Sequence, residues 1–114
     1  MKHSDPTDIS LEIAASTFAA LGSEQRLSVL RCLVRAGGEG ISIGELGQRT
    51  GVTGSTLTHH MKILAQAGLV TQEKQGRSII CVAAAYDAVH QLSHFLLQEC
   101  CADSATPNKD HDHG

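Results

Sequence analysis

"SIGELGQRTGVTGSTLTHHMKILAQAG", residues 42–68, contains two short amphipathic runs parted by a glycine. In the first, Ser42 and Glu45 stand at capping-box spacing, and Ile43, Leu46 and Gly47 recur at intervals that face one side of a helix. Gly51 then supplies a turn residue, after which Thr53 or Ser55 can cap a second helix whose apolar stripe is Leu57, Met61, Leu64 and Ala65. Two short helices joined by a few residues that include Gly form the helix-turn-helix pattern.

The flanking elements fit around that unit. Upstream, "SLEIAASTFAALG" places Leu11, Ala14, Ala15, Phe18 and Leu21 at helical spacing, with Gly22 to end the helix. Ser23 can then cap "EQRLSVLRCLVRA", striped by Leu27, Leu30 and Val34 with Val29 and Leu33 beside them, and "GGEG" stops it. Beyond Gly68 the period shortens from helical to extended: "LVTQEKQGRSIICVAAA" reads as two strands about a turn at Gln75 and Gly76, with Val70, Ile79 and Cys81 as inward or cross-strand positions. "YDAVHQLSHFLLQECC" returns to helix, with Val89, Leu92, Leu96 and Cys100 on one stripe and His90, His94, Leu97 and Cys101 on another. The expectation is a mainly α fold with a small β-hairpin, a winged helix-turn-helix over residues 10–102. Residues 1–9 and 103–114 are polar and expected to be flexible.

Totals narrow the function. A chain of 114 residues builds one core, which leaves no room for a large enzyme, and no catalytic constellation is present. The only aromatics are Phe18, Tyr86 and Phe95, so the core must rest on Leu, Ile, Val and Ala. The sequence has neither a secretory signal pattern nor an apolar run long enough to span a bilayer, so a cytoplasmic protein with no membrane partner is expected. In that reducing compartment four cysteines point to soft-metal ligation, redox chemistry or packing rather than to structural disulfides. The net charge of −3 hides an uneven distribution. Residues 42–80 carry Arg49, Lys62, Lys74 and Arg77 against Glu45 and Glu73, a local +2, whereas residues 81–114 carry −4 from Lys109 against Asp87, Glu99, Asp103, Asp110 and Asp112. A basic middle can bind DNA despite an acidic whole, because counterion release depends on local contacts.

The N-terminal part of the second helix of a helix-turn-helix enters the major groove. Here its outward side is expected to offer Ser55, Thr56, Thr58, His59, His60 and Lys62, short donors and acceptors with one cation, suited to base edges and phosphates. Lys74 and Arg77 flank the hairpin tip, where they can reach phosphates or the minor groove. Adjacent residues on a helix do not face one another, so His59 and His60 are assigned to DNA and the core edge, not to a metal.

The runs "FAALGSEQRLSVLRCL", "ISIGELGQRTGVTGSTLTHHMKILAQAGLV" and "EKQGRSIICV" together resemble the arsenic-repressor (ArsR/SmtB) family of winged-helix metalloregulators over roughly residues 11–101. That resemblance implies a homodimer joined through its first and last helices and bound to operator double-stranded DNA. It also implies repression until a metal, metalloid or reactive small molecule lowers DNA affinity. The two-fold protein symmetry implies a roughly palindromic operator.

The family's sensing sites differ, and most are missing here. The arsenic and cadmium site that resembles "ELCVCDL" corresponds to "ISIGELGQRT", which has no cysteine. Asp87, His90, His94 and Glu99 do not reproduce the spacing of the zinc-type site on the last helix. Redox and persulfide sensors pair a cysteine on the second helix with one on the last, which Cys32 with Cys100 or Cys101 could imitate. Cys32 sits one residue late, however, a turn of about 100° on a helix. The resemblance instead matches members that respond to arsenite or methylarsenite through a neighbouring Cys pair at the end of the last helix. It implies As(III), methylarsenite or Sb(III) as the inducer, held by Cys100 and Cys101, with or without Cys81 as a third ligand. Trivalent arsenic and antimony are thiophilic: inorganic arsenite takes three thiolates, and a methylated arsenic needs two. A disulfide between adjacent cysteines is disfavoured, since one trans peptide holds their Cα atoms about 3.8 Å apart, below the usual disulfide range. No cofactor is needed for DNA binding itself.

Overall fold

The computed structural model of the chain describes residues 9–52 and 54–105. The elements run α1 (Leu11–Leu21), α2 (Glu24–Ala36), a 3-10 turn (Gly37–Glu39), β1 (Ile41–Ser42), α3 (Ile43–Thr50), α4 (Gly54–Gln66), β2 (Val70–Gln75), β3 (Ser78–Ala83) and α5 (Ala85–Leu97). This is the mainly α winged helix-turn-helix expected from the residue pattern.

Serines set three of the helix starts. The hydroxyls of Ser10, Ser23 and Ser42 accept from the backbone N–H groups of Ile13, Arg26 and Glu45 at 3.0, 3.2 and 3.1 Å, satisfying N–H groups that lack a partner within the helix. Helix α4 begins at Gly54, so Ser55 lies inside its first turn and is not the cap; Thr53 lies outside the described residues.

The sheet is larger than the expected hairpin. Its order is β1-β3-β2, all antiparallel, with Ile41 opposite Cys81 and Gln72 opposite Cys81 on the other side. Two residues are too few for a strand's alternation to be visible in the sequence. Gly40 makes the β1 pairing accessible: at φ 73° it approaches β3 so closely that a Cβ would overlap the Cys81 carbonyl and the Val82 side chain. At the other end of β3, a two-residue connection through Gly76 leads to β2, whose residues beyond Val70 are all exposed. The hairpin therefore projects from the body as a wing.

One core joins these elements. Val29 and Leu33 of α2, Leu46 of α3, Met61 and Leu64 of α4, Leu69 just before β2, and Cys81 of β3 are all at most 1% exposed. Each such aliphatic side chain contributes about 1.5–3 kcal/mol by leaving water. The helix-turn-helix is thereby fixed to the body rather than hinged from it. Its turn is held locally as well: the Thr50 hydroxyl donates to the Leu46 carbonyl at 2.8 Å and accepts from the Val52 N–H at 3.2 Å.

Helix α1 presents its residues differently from the expected stripe. Its buried side is Ala14, Thr17 and Ala20, while Leu11, Ile13 and Phe18 face outward. Small side chains let α1 lie close to the body, and the bulky ones are left uncovered. On α2, Leu27 and Val34 are likewise exposed, with Val29, Leu30 and Leu33 forming the buried side.

Candidate nucleic-acid interface and thiol pair

Helix α4 sorts its residues sharply between two faces. Leu57, His60, Met61 and Leu64 are buried, following the i, i+3, i+4, i+7 rule for an inward stripe. Ser55, Thr56, Thr58, His59 and Lys62 are exposed, as are Lys74 and Arg77 at the wing. Seven of the eight residues expected to meet DNA therefore lie on open surface of the two projecting elements.

His60 is the exception, and its expected outward placement is corrected. It is only 8% exposed, because its position belongs to the apolar stripe and its ring has partners inside. Nε2 lies 2.8 Å from Gln25 Oε1, and Nδ1 lies 3.3 Å from Arg26 Nη1. Burial, then the Arg26 charge and then His59 hold its pKa below the ordinary 6.5. His60 is thus a core-edge residue and not a base-reading one. His59, next to it, remains on the surface.

The four thiols fall into three environments. Cys81 is wholly buried on the central strand, and burial pushes its pKa up. Cys32 is half-buried and lines a cleft of about 720 Å³ with Arg31, Arg35 and Arg49; the last is also ion-paired with Glu45. Cys100 and Cys101 are exposed, and their sulfurs are 3.7 Å apart, in contact but far from the bonding distance of about 2.05 Å.

The thiol pair does not sit on two stripes of a helix, as the sequence pattern suggested. Helix α5 ends at Leu97, and the chain continues in turns closed by N–H groups of Cys100, Ala102 and Ser104 bonding to carbonyls of Leu97, Glu99 and Cys101 at 2.9, 2.9 and 3.0 Å. Cys101 adopts φ 61°, a left-handed conformation uncommon for a residue with a Cβ. The turn swings both side chains to the same side. The hydrogen bond with Cys100 is the largest cause raising the Cys101 pKa, followed by desolvation and Cys100's charge. Among the described residues no three His, Cys, Asp or Glu side chains are grouped to hold one ion. Within one chain Cys81, sealed in the core, does not join the pair, so the third thiol that the sequence reading left open is not brought to it there.

The comparisons with known proteins agree with this architecture. The helix-turn-helix domain family matches residues 21–73. The chain is 37% identical over 78 residues to the HTH-type transcriptional regulator YceK of Bacillus subtilis (strain 168), covering 68% of this chain and 72% of that protein. An ArsR-like transcriptional regulator from Rhodococcus sp. RHA1 superposes with a TM-score of 0.64 at 29% identity, over 81% of this chain and 82% of that one. The homodimeric winged helix-turn-helix DNA-binding domain Mb0332 from Mycobacterium bovis shares the fold, with a TM-score of 0.63 at 20% identity, over 86% and 90% of the two chains. Helix order, wing and sequence identity together place the chain among DNA-binding transcriptional regulators. It belongs to the HTH-type transcriptional regulators, and it shares its winged-helix fold with ArsR-like regulators. These are regulators and not enzymes. No helix among the described residues is long and apolar enough to cross a membrane.

Proposed function

We propose that this chain is a homodimeric repressor that leaves its operator when methylarsenite, or another thiophilic trivalent arsenic or antimony species, is captured by Cys100 and Cys101. The observation that carries the reading is the 3.7 Å separation of two exposed sulfurs immediately beyond α5. With metal–sulfur bonds of about 2.3 Å, as in zinc thiolates, that span corresponds to an angle at the bound atom of roughly 105–110°. Two sulfurs are therefore already spaced as ligands of one soft centre.

The chemistry favours an arsenic that needs only two sulfurs. Methylarsonous acid, CH3As(OH)2, exchanges its two hydroxyls for the two thiols; two As–S bonds form, two As–O bonds break, and the thiol protons leave in two waters. Because the reactants are neutral thiols, the raised Cys101 pKa does not oppose the exchange. Arsenite captured by the same pair retains a hydroxyl, since Cys81 is enclosed by the core.

The dimer reading rests on uncovered apolar surface. Helices α1 and α5 touch each other and leave Leu11, Phe18, Val89, Leu96 and Leu97 exposed, Leu11 by 74% and Leu96 by 65%. A second copy would cover that surface; the Mycobacterium bovis domain of the same fold is homodimeric. The thiol pair would then follow directly on a dimer helix, so ligation there would alter how the two recognition helices are spaced. A coupling of about 1–3 kcal/mol between ligand and DNA is typical of such linkage.

A second reading has its own observation. Cys32 faces a cleft lined by Arg31 and Arg35, with Arg49 paired to Glu45 and with Glu24 at its edge, a surrounding of net positive charge, so a repressor sensing persulfides or oxidants through Cys32 with Cys100 or Cys101 is the alternative. Native mass spectrometry separates the two. One CH3As unit per chain, lost in Cys100→Ser and Cys101→Ser but kept in Cys32→Ser and Cys81→Ser, is the expected result. Binding that survives loss of the vicinal pair contradicts the proposal.

A further inference from the structure

The interior side of α4 carries a polar device that DNA contact does not use. Arg26, near the start of α2, sends Nε to the Ala20 carbonyl at 2.6 Å and Nη2 to the Ala19 carbonyl at 3.4 Å, closing the C-terminal end of α1. Its remaining nitrogen, Nη1, meets His60 of α4. The other side of the ring meets Gln25, Arg26's neighbour on α2. One side chain thereby joins the end of α1, the start of α2 and the recognition helix.

This network dictates the state of the imidazole. A guanidinium has donors only, so the Nδ1 facing Arg26 must be the accepting nitrogen, and Nε2 must carry the proton that Gln25 Oε1 accepts. A second proton on the ring would put an N–H on Nδ1 against the N–H of Arg26 and set two cations together around a ring that is only 8% exposed. Of the titratable groups acting on the ring, α2 contributes Arg26 and α4 contributes His59, while α1 presents only the Ala19 and Ala20 carbonyls. Among the described residues no carboxylate acts on the ring to offset the added charge. A cleft of about 330 Å³ lined by Ser16, Ala19, Arg26, Ile63 and Gln66 opens between α1, α2 and α4 beside the network, leaving room for α4 to shift once the bond is lost.

We propose that Arg26 and His60 are positioning residues for DNA recognition: they latch α4 to α1 and α2 in a geometry that only a neutral His60 permits. The inference rests on α4 being the DNA-reading helix. Through the latch, a movement of α1 at a dimer contact reaches α4 without passing through the apolar core. Acidification breaks the latch, and operator affinity falls with it.

The test combines ring NMR with DNA titration on the full chain over about pH 5–8, using a duplex enriched from a random double-stranded pool by this protein. At neutral pH the His60 ring is expected as the Nε2–H tautomer. As it gains its second proton, wild-type affinity is expected to fall about tenfold, within the usual range of allosteric coupling. His60→Gln, which offers a donor and an acceptor at every pH, should keep binding and lose the acid-dependent fall. Arg26→Lys, which preserves charge without the fork, should weaken DNA binding while circular dichroism reports an intact fold. An Nδ1–H tautomer, a ring that protonates with no change in affinity, or the same acid fall in His60→Gln overturns the latch. Failure to enrich any duplex overturns the DNA reading instead, which the ring tautomer does not depend on.

Discussion

Cys81 and the Cys100–Cys101 pair carry the same functional group in opposite surroundings. The first lies on the central strand, wholly enclosed and bracketed by Ile41 and Gln72; the other two lie in a turn beyond the last helix, exposed and touching each other. Burial makes a thiol a small apolar packing group, whereas exposure beside a second thiol suits it to ligation of a soft centre. The core is built to resist change and the end of α5 is the proposed place of ligand capture, and each side of that contrast can be broken separately.

The largest effect is expected deep in the core. Leu64→Ala removes a side chain with no exposed surface and should lower unfolding free energy by about 2–5 kcal/mol in a denaturant titration. Cys81→Ser should cost less, about 1–3 kcal/mol, because it leaves a hydroxyl without a partner among apolar neighbours. The same variant should still release DNA with methylarsenite, which separates packing from sensing.

Acid sensitivity lies next. The pKa of His60 is lowered in the fold, so between that lowered value and the ordinary 6.5 the unfolded chain binds more protons than the folded one. Its contribution to stability is therefore complete above 6.5 and is lost as pH falls from there toward the folded value. Thermal melting should show a drop in Tm over that window for the wild type and a smaller one for His60→Gln. Smallest of all, Cys100→Ser and Cys101→Ser should change stability by no more than about 0.5 kcal/mol, since both side chains are exposed.

Much of the fold could be read because its boundaries are chemical. Ser23 and Gly22 mark the joint between α1 and α2, and Ser42 and Gly51 bracket α3. What escaped the pattern has physical causes. Strand β1 is two residues long, and its pairing depends on a close approach at Gly40. The stripe on α5 continues in sequence to Cys100 although the helix stops at Leu97, because apolar spacing does not mark a helix end when no Gly or Pro follows directly. On α1 the sequence shows which residues are apolar but not whether the chain's own core or another surface covers them. His60 was accessible to a stricter reading: Leu57, His60, Met61 and Leu64 occupy one face, and treating histidine as polar hid that. The thiol pair was visible as a spacing, but Cys81's separation from it depends on tertiary placement.

The central claim, that the vicinal pair controls release from DNA, is tested most directly by fluorescence anisotropy of the enriched duplex during titration with methylarsenite. The account predicts that wild type and Cys81→Ser release the duplex as one equivalent per chain binds, while Cys100→Ser and Cys101→Ser stay bound. Release that persists in both of the latter variants, or that disappears only in Cys32→Ser, would contradict it.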